Sequence, residues 1–217
     1  MPDNLAMSER TRIVREPQRA VYDREVIYGI LDDGFVCHVG FAADGQTYVI
    51  PTMYARVGDA IYFHGSAASR MLRGVGAERN VCVTVTLADG LVLARSVFNH
   101  SMNYRSVVAL GSAVMVEEPS EKLEALRAFT ERILPGRWND ARQPNEKELK
   151  ATSILRLSLD EVSAKVRVGG VEDDADDYTL KVWAGIVPLR LVADEPVRDE
   201  RCDPEIATPD YAERFRK

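Results

Sequence analysis

The chain has 217 residues, 46% of them hydrophobic and 29% charged, with a formal net charge of −6 and a pI near 5.2. This balance suits a soluble globular protein with a real core, in one large domain or two small ones. It argues against a duplex nucleic-acid binder, which needs a contiguous basic face, but leaves room for a local basic pocket. No run approaches the roughly 18 apolar residues of a membrane helix. The opening Met1-Pro2-Asp3-Asn4 is polar and unlike a secretory signal, so a cytoplasmic protein with no membrane partner is expected. Cys37, Cys82 and Cys202 form no C-x-x-C pair and are expected as free thiols in a reducing compartment.

In chain order, residues 1–17 are polar and carry Pro2 and Pro17, which predicts a loose N-terminal arm. Ala20 to Leu31 shows helical spacing of Val21, Ile27, Ile30 and Leu31 and stops at Asp32-Asp33-Gly34. Strands are predicted at Phe35–Ala42 and Thr47–Ala55, joined by a hairpin turn at Asp44-Gly45, and a third at Ala60–His64. A helix carrying Ser69 to Leu72 follows, then a strand at Asn80–Leu87, a turn at Ala88-Asp89-Gly90 and an apolar run over Leu91–Phe98. Arg105–Glu117 reads as a strand and Pro119–Leu134 as an amphipathic helix. Ser153–Leu159, Ser163–Val168 and Tyr178–Leu191 add β-character, and the acidic run Glu172 to Asp177 reads as a solvated loop. The whole predicts a mainly β fold with flanking helices, a closed or partly closed barrel over residues 18–192, and a charged tail over 193–217.

The chemistry concentrates in four places. Tyr62-Phe63-His64-Gly65-Ser66 runs into Ser69-Arg70 at a predicted helix start. Small residues, free amides, hydroxyls and a guanidinium there suit a phosphate. His64 reads either as a donor to that anion or as a strand-end histidine with a backbone partner. Asn99 to Ser106 gathers His100, Asn103, Tyr104 and Arg105, polar groups that are costly to bury unless they meet one another or a ligand. Arg105 is either a second phosphate cation or a strand-edge ion pair. Pro51-Thr52-Met53-Tyr54 interrupts a strand with a residue that cannot donate to a ladder, so that edge faces a ligand or forms a bulge. Trp183 lies among small residues, as a ligand surface or as plain core. His38, His64 and His100 lack metal-ligand spacing, and no nucleotide-binding glycine loop or nucleophile elbow occurs.

Taken together and in order, these segments resemble the pyridoxamine 5'-phosphate oxidase-related flavin-nucleotide-binding family, in its nitroimidazole-resistance (Nim-type) branch. The matching residues are Cys37 to Phe41, Ile50 to Tyr54, Tyr62 to Ser66 with Ser69 to Leu72, Asp89 to Ser96, Asn103 to Val107, Pro135 to Trp138, and Trp183-Ala184-Gly185 with Pro188. The resemblance implies a split β-barrel that forms a homodimer and holds FMN in clefts between subunits. It places Pro51, Thr52, Met53 and Tyr54 along the flavin ring and Ser66, Ser69 and Arg70 on the phosphate, with His64 and Gly65 at its approach. Asn103, Tyr104, Arg105 and Trp183 would border the cleft, some of them from the partner. It implies an oxidoreductase acting on a small, nitroaromatic-type substrate, with His100 or Tyr104 as proton donor. The alternative is a non-catalytic flavin- or haem-binding module. Two departures stand out. No lysine precedes Lys122, whereas relatives commonly pair lysine with the phosphate, and the ending Ala212 to Lys217 lacks the terminus associated with vitamin B6 oxidation.

If Arg70 holds the phosphate, Arg70→Ala weakens flavin binding by about 1.5–3 kcal/mol, the range for charge-assisted hydrogen bonds. A fluorescence titration with unchanged affinity removes it from the site.

Overall fold

The computed structural model describes residues 3–66 and 80–215, and for Ser66 the backbone alone. Its strands are β1 (Ala20–Val21), β2 (Val36–Ala43), β3 (Gln46–Val57), β4 (Ala60–Ser66), β5 (Asn80–Leu93), β6 (Ser101–Ser112), β7 (Val114–Met115), β8 (Thr152–Ser158), β9 (Glu161–Arg167) and β10 (Gly185–Pro188). The helices are α1 (Arg24–Asp33), α2 (Pro119–Ile133), α3 (Arg137–Asp140), α4 (Glu146–Ala151) and α5 (Asp210–Glu213). All pairings are antiparallel, in the order β1-β9-β6-β5-β2-β3-β4-β8-β7, with β10 added to the far end of β5. The two end strands do not meet, so the sheet curls without closing: a split barrel.

Alternation explains its two faces. Cys37, Val39 and Phe41 of β2 and Val81, Val83 and Val85 of β5 point inward with Leu155, Leu157 and Leu159. Ile27, Ile30 and Leu31 of α1 complete this core. Outside, α2 covers one flank, where Ala125 and Phe129 pack on Ala55, Tyr62 and Ile154. Among the described residues no such helix covers the outer face of β2, β3 and β5, where Val36 is 46% and Val49 63% exposed.

The β2–β3 hairpin turns through Asp44 (φ 51°) and Gly45 (φ 73°), as its Asp-Gly pair predicts. Elsewhere tertiary contacts overrule local pattern. The first helix starts at Arg24, because Asp23 caps it and Ala20–Val21 pairs with β9. Ala88-Asp89-Gly90 does not turn: it forms a bulge inside β5, and the chain runs on to pair with β6 and β10. A Cβ on Gly90 would lie 3.3 Å from Val187 O, so the glycine admits β10. Tyr178–Leu191 contributes strand only over Gly185–Pro188. The arm is not loose: Leu5 N–H donates to Tyr22 O, and Ile13 N–H to the Tyr22 hydroxyl. Nor is the acidic run wholly solvated. The Asp173 side chain is fully buried, accepting from the amides of Arg95 and Ser96 and from the Arg95 guanidinium at 2.9 Å.

Burial pushes the Cys37 thiol up to about 12, so it packs as an inert small hydrophobe. Where α1 ends, Tyr54 donates its hydroxyl to Leu31 O at 2.5 Å, and a Cβ on Gly34 would lie 2.7 Å from both Tyr54 Oη and Val85 Cγ1. Gly34→Ala is therefore expected to lower stability by about 1–3 kcal/mol through overpacking. Urea denaturation measures it, and an unchanged midpoint would mean that the junction is slack.

Candidate functional site

The split itself builds the first half of the site. The β3–β4 ladder runs from Val57↔Ala60 to Tyr54↔Phe63 and stops. Beyond it β4 stays with β8, through His64↔Ile154, Gly65↔Ser153 and Ser66↔Thr152, while β3 stays with β2 through Met53↔Val36, Thr52↔Cys37 and Pro51↔His38. The two strands part, and among the described residues the β3 edge at Pro51–Met53 has no neighbour on that side. The β2–β3 register is unbroken across Pro51, so no bulge occurs. A proline inside a paired strand requires its nitrogen to point away from the partner, here into the notch. Thr52 Oγ1 makes one weak contact, to Met53 O at 3.4 Å. The Tyr54 side chain belongs to the core, so only its backbone can meet a ligand.

His64 stands across the notch on β4. Its ring packs edge-on against Phe129 of α2, with centroids 4.6 Å apart, and its buried Nδ1 has no hydrogen-bond partner among the described residues. Burial pushes the imidazole below its ordinary value, which keeps it neutral. Among the described residues no backbone group partners Nδ1, as the strand-end reading would require. Ser69 and Arg70 lie outside the described residues, as does the Ser66 side chain.

The second half lies where β5 meets β6, β9 and β10. In sheet order β6 is three strands from β3, or about 14 Å at the usual strand spacing. His100 is exposed, and its Nδ1 accepts from the Ala94 amide at 3.2 Å. The proton of the neutral ring therefore sits on Nε2, the edge left to donate. Tyr104 is half-buried on β6, opposite Ala88, and its hydroxyl makes no bond among the described residues. Trp183 is 66% exposed, with its indole laid on Gly185, where a Cβ would lie 2.8 Å from Cζ2. Only glycine permits that platform.

Two further candidates are already engaged. Asn103, 8% exposed, accepts from Arg167 at 2.5 Å and donates to Gly169 O at 3.0 Å, so both ends of its amide hold the β9 exit. Arg105 makes a two-pronged pair with Asp89 (3.0 and 2.9 Å) and reaches Asp33 at 2.5 Å. Hydrogen bonds to Asp89 and then to Asp33 outweigh desolvation and raise its pKa. This is the ion-pair alternative, and its charge is neutralised. Arg167 was missed from the sequence. It is 7% exposed, bonded to Asn103 and to Gly170 O, and has no carboxylate partner among the described residues. Nothing in its local sequence sets it apart from any strand-end arginine. Among the described residues no group of three His, Cys, Asp or Glu could hold a metal, and no helix is long and apolar enough to cross a membrane.

The family model for pyridoxamine 5'-phosphate oxidase matches residues 23–166. The chain belongs to that family. Within the solved structures it is similar to the flavocytochrome Anf3 from Azotobacter vinelandii, at 40% identity and a TM-score of 0.91, covering 96% of this chain and 97% of that one. It is also similar to an FAD and haem binding protein from Mycobacterium smegmatis, at 33% identity and a TM-score of 0.84, covering 89% and 95%. A candidate 5-nitroimidazole antibiotic resistance protein from Bacteroides thetaiotaomicron shares the fold, at 22% identity and a TM-score of 0.59 over 68% and 86%. Among curated proteins none matches the chain.

The His64 geometry has a pH consequence. Unfolded, the ring takes a proton near pH 6.5; folded, it resists protonation to lower pH. Its contribution is complete above that unfolded value and is lost as pH falls toward the folded one. Asp173 and Asp59, both held below the carboxylate range, titrate lower and stay out of this window. The urea midpoint is thus expected to drop from pH 7.5 to 5.5 (roughly the span bracketing a histidine), with a shallower fall in His64→Gln. Parallel profiles would move the effect to His38 or His100.

Proposed function

We propose that this chain is a flavin-binding redox protein that also carries haem and acts as a homodimer. Its whole-length likeness to a flavocytochrome carries this reading, and the second relative, described by its FAD and haem, supports it. FMN is the flavin expected from the sequence; the FAD of that relative makes FAD the form to separate from it. A bound flavin supplies one- and two-electron chemistry, and the protein supplies position and electrostatics.

The notch suits the polar rim of a flat heterocycle. The free edge of Pro51–Met53 and the Thr52 hydroxyl can meet it there, with Ser66, Ser69 and Arg70 as the phosphate side. Donors at that rim stabilise negative charge on a reduced ring and favour its reduction. Tyr104, His100 through Nε2–H, and the Trp183 indole would border the cleft from the partner subunit, since they sit three strands away on their own. Exposed Val36 and Val49 on the uncovered sheet face, and Phe98 at 91% exposure beside the second half-site, favour burial against a second copy.

For haem, the imidazoles are not equivalent. A histidine that would hold haem iron must be neutral, with a nitrogen free to bind it. His64, kept neutral by burial and unpartnered at Nδ1 among the described residues, would fit. His100, with its Nδ1 filled by the Ala94 amide and a proton on Nε2, fits a donor instead. Reduction of a small nitroaromatic stacked on the flavin is the activity this reading favours. The second reading is a carrier or sensor without turnover, favoured because no carboxylate orients His100 or Tyr104 among the described residues.

The purified protein is expected to show both flavin and Soret absorbance, with the flavin bands bleaching under NADPH and returning in air. His64→Ala should lose the Soret band and keep the flavin. Colourless protein that fails to quench added flavin overturns the reading, and flavin without turnover favours the carrier.

A further inference from the structure

Apart from the notch and its partner half-site, the N-terminal arm encloses a pocket of its own. Residues 11–15 cross the outer face of β6 and β9, held by Ile13 N–H to Tyr22 and by Lys165 Nζ donating to Arg15 O at 2.7 Å. Beneath this crossing is a cavity of about 270 Å³, lined by Ile13, Arg15, Ser106, Val108, Ser163 and Lys165.

 

A second cavity, of about 350 Å³, lies in the tail and is lined by Asp194, Glu195, Pro196, Thr208 and Glu213. The contrast in lining is what matters. The tail cavity is acidic, like the chain as a whole, while the arm pocket has two cations, two hydroxyls and two aliphatic side chains, and no carboxylate in its lining.

Strand register explains why these groups converge. Ser106 faces Lys165 and Val108 faces Ser163 across the β6–β9 ladder, so all four side chains leave the sheet on the same side. The nearby acids are engaged elsewhere: Glu161 pairs with Arg10 at 3.1 Å and Glu16 with Arg19 at 3.3 Å. The Lys165 ammonium spends one donor on Arg15 O, and neither Lys165 nor Arg15 has a carboxylate partner among the described residues. Ser163 is only 7% exposed, lines the pocket, and its hydroxyl has no hydrogen-bond partner among the described residues. A hydroxyl without a protein partner at the pocket wall, beside two cations without carboxylates, suits an anionic acceptor.

We propose that this pocket binds a phosphoryl group, with Arg15 and Lys165 supplying charge and Ser163 supplying a hydroxyl donor, while Ser106, whose hydroxyl donates to Lys165 O at 3.3 Å, lines the wall and Ile13 and Val108 flank a short apolar stem. Its volume falls just below the roughly 300 Å³ at which pockets begin to enclose whole drug-sized ligands, which suits a phosphoryl head and a few carbons. The proposal stands on the arm and the β6–β9 face alone and does not rest on the flavin reading.

The test uses the protein as purified, with inorganic phosphate as the probe and ³¹P line broadening as the readout. Saturable broadening is expected, with affinity falling at least fivefold in Ser163→Ala and in Arg15→Gln. Arg15→Gln leaves the backbone carbonyl that Lys165 uses, so the arm keeps its anchor. Phosphate that binds without changing any flavin spectrum assigns the pocket to a free phosphorylated ligand; phosphate that releases flavin assigns it to the flavin's own phosphoryl group. Absence of saturable broadening overturns the proposal, as does broadening equal in both variants, which means an adventitious ion only. Dissociation of a dimer by Arg15→Gln, with no phosphate bound by the unaltered protein, also overturns it, by giving the pocket to a partner carboxylate.

Discussion

The fold depends on one strand having two partners of unequal length. β4 pairs with β3 only as far as Tyr54↔Phe63, yet follows β8 to Ser66↔Thr152. The barrel cannot close beyond that point, because β3 is committed to β2 along its other edge. Backbone groups that leave a ladder must find water or a ligand. The opening therefore exposes main-chain donors and acceptors beside a half-buried, neutral imidazole, on a rigid frame rather than on a loop. The junction of α1 and β3 holds this geometry: the Tyr54 hydroxyl on Leu31 O fixes the strand where it begins to part from β4.

A second constraint is the fate of the arginines, which outnumber lysines in this chain. Most are consumed within the protein. Arg105 serves Asp89 and Asp33, Arg95 serves the buried Asp173, and Arg56 serves Asp32 through Nε and Nη2. Arg132 reaches the carbonyls of Leu31 and Gly34, neutralising the C-terminal end of α1. Composition counts each of these as a potential anion hook, but geometry removes them. Arg15 with Lys165 on the arm side, and Arg167 against neutral acceptors, are among the described cations that no carboxylate balances.

Much of the fold was legible because local chemistry and tertiary structure agree. Asp44-Gly45 has the positive φ angles of a tight hairpin turn, the α2 apolar stripe meets the sheet through Ala125 and Phe129, and alternation identifies the inward faces of β2 and β5. The illegible parts are those decided by residues distant in sequence. Asp89-Gly90 carries the same letters as the hairpin turn, yet the docking of β10 makes it a bulge. Asp173 looks like any other member of an acidic run, and only the amides of Arg95 and Ser96, 78 and 77 residues away, single it out. The Pro51 break was readable because a proline carries its hydrogen-bonding defect wherever it goes. Asn103 was noticed for its polarity, but nothing local tells that Arg167 and Gly169 take both ends of its amide.

The three imidazoles show how far side-chain identity falls short of chemistry. A neutral histidine has one donor and one acceptor nitrogen, and the neighbour of one nitrogen decides what the other can do. The Ala94 amide fills the Nδ1 acceptor of His100 and leaves a donor facing outward. His64 receives no such instruction: Phe129 covers its ring, burial keeps it uncharged, and Nδ1 is unmatched. His38 stands exposed on the outer sheet face, paired across the ladder with Pro51 and Thr84. Proton donation and metal ligation are opposite demands on an imidazole, since one requires a proton on the outward nitrogen and the other a lone pair. In this chain the two kinds stand apart: His64 lies on β4, and His100 just before β6, four strands away in sheet order.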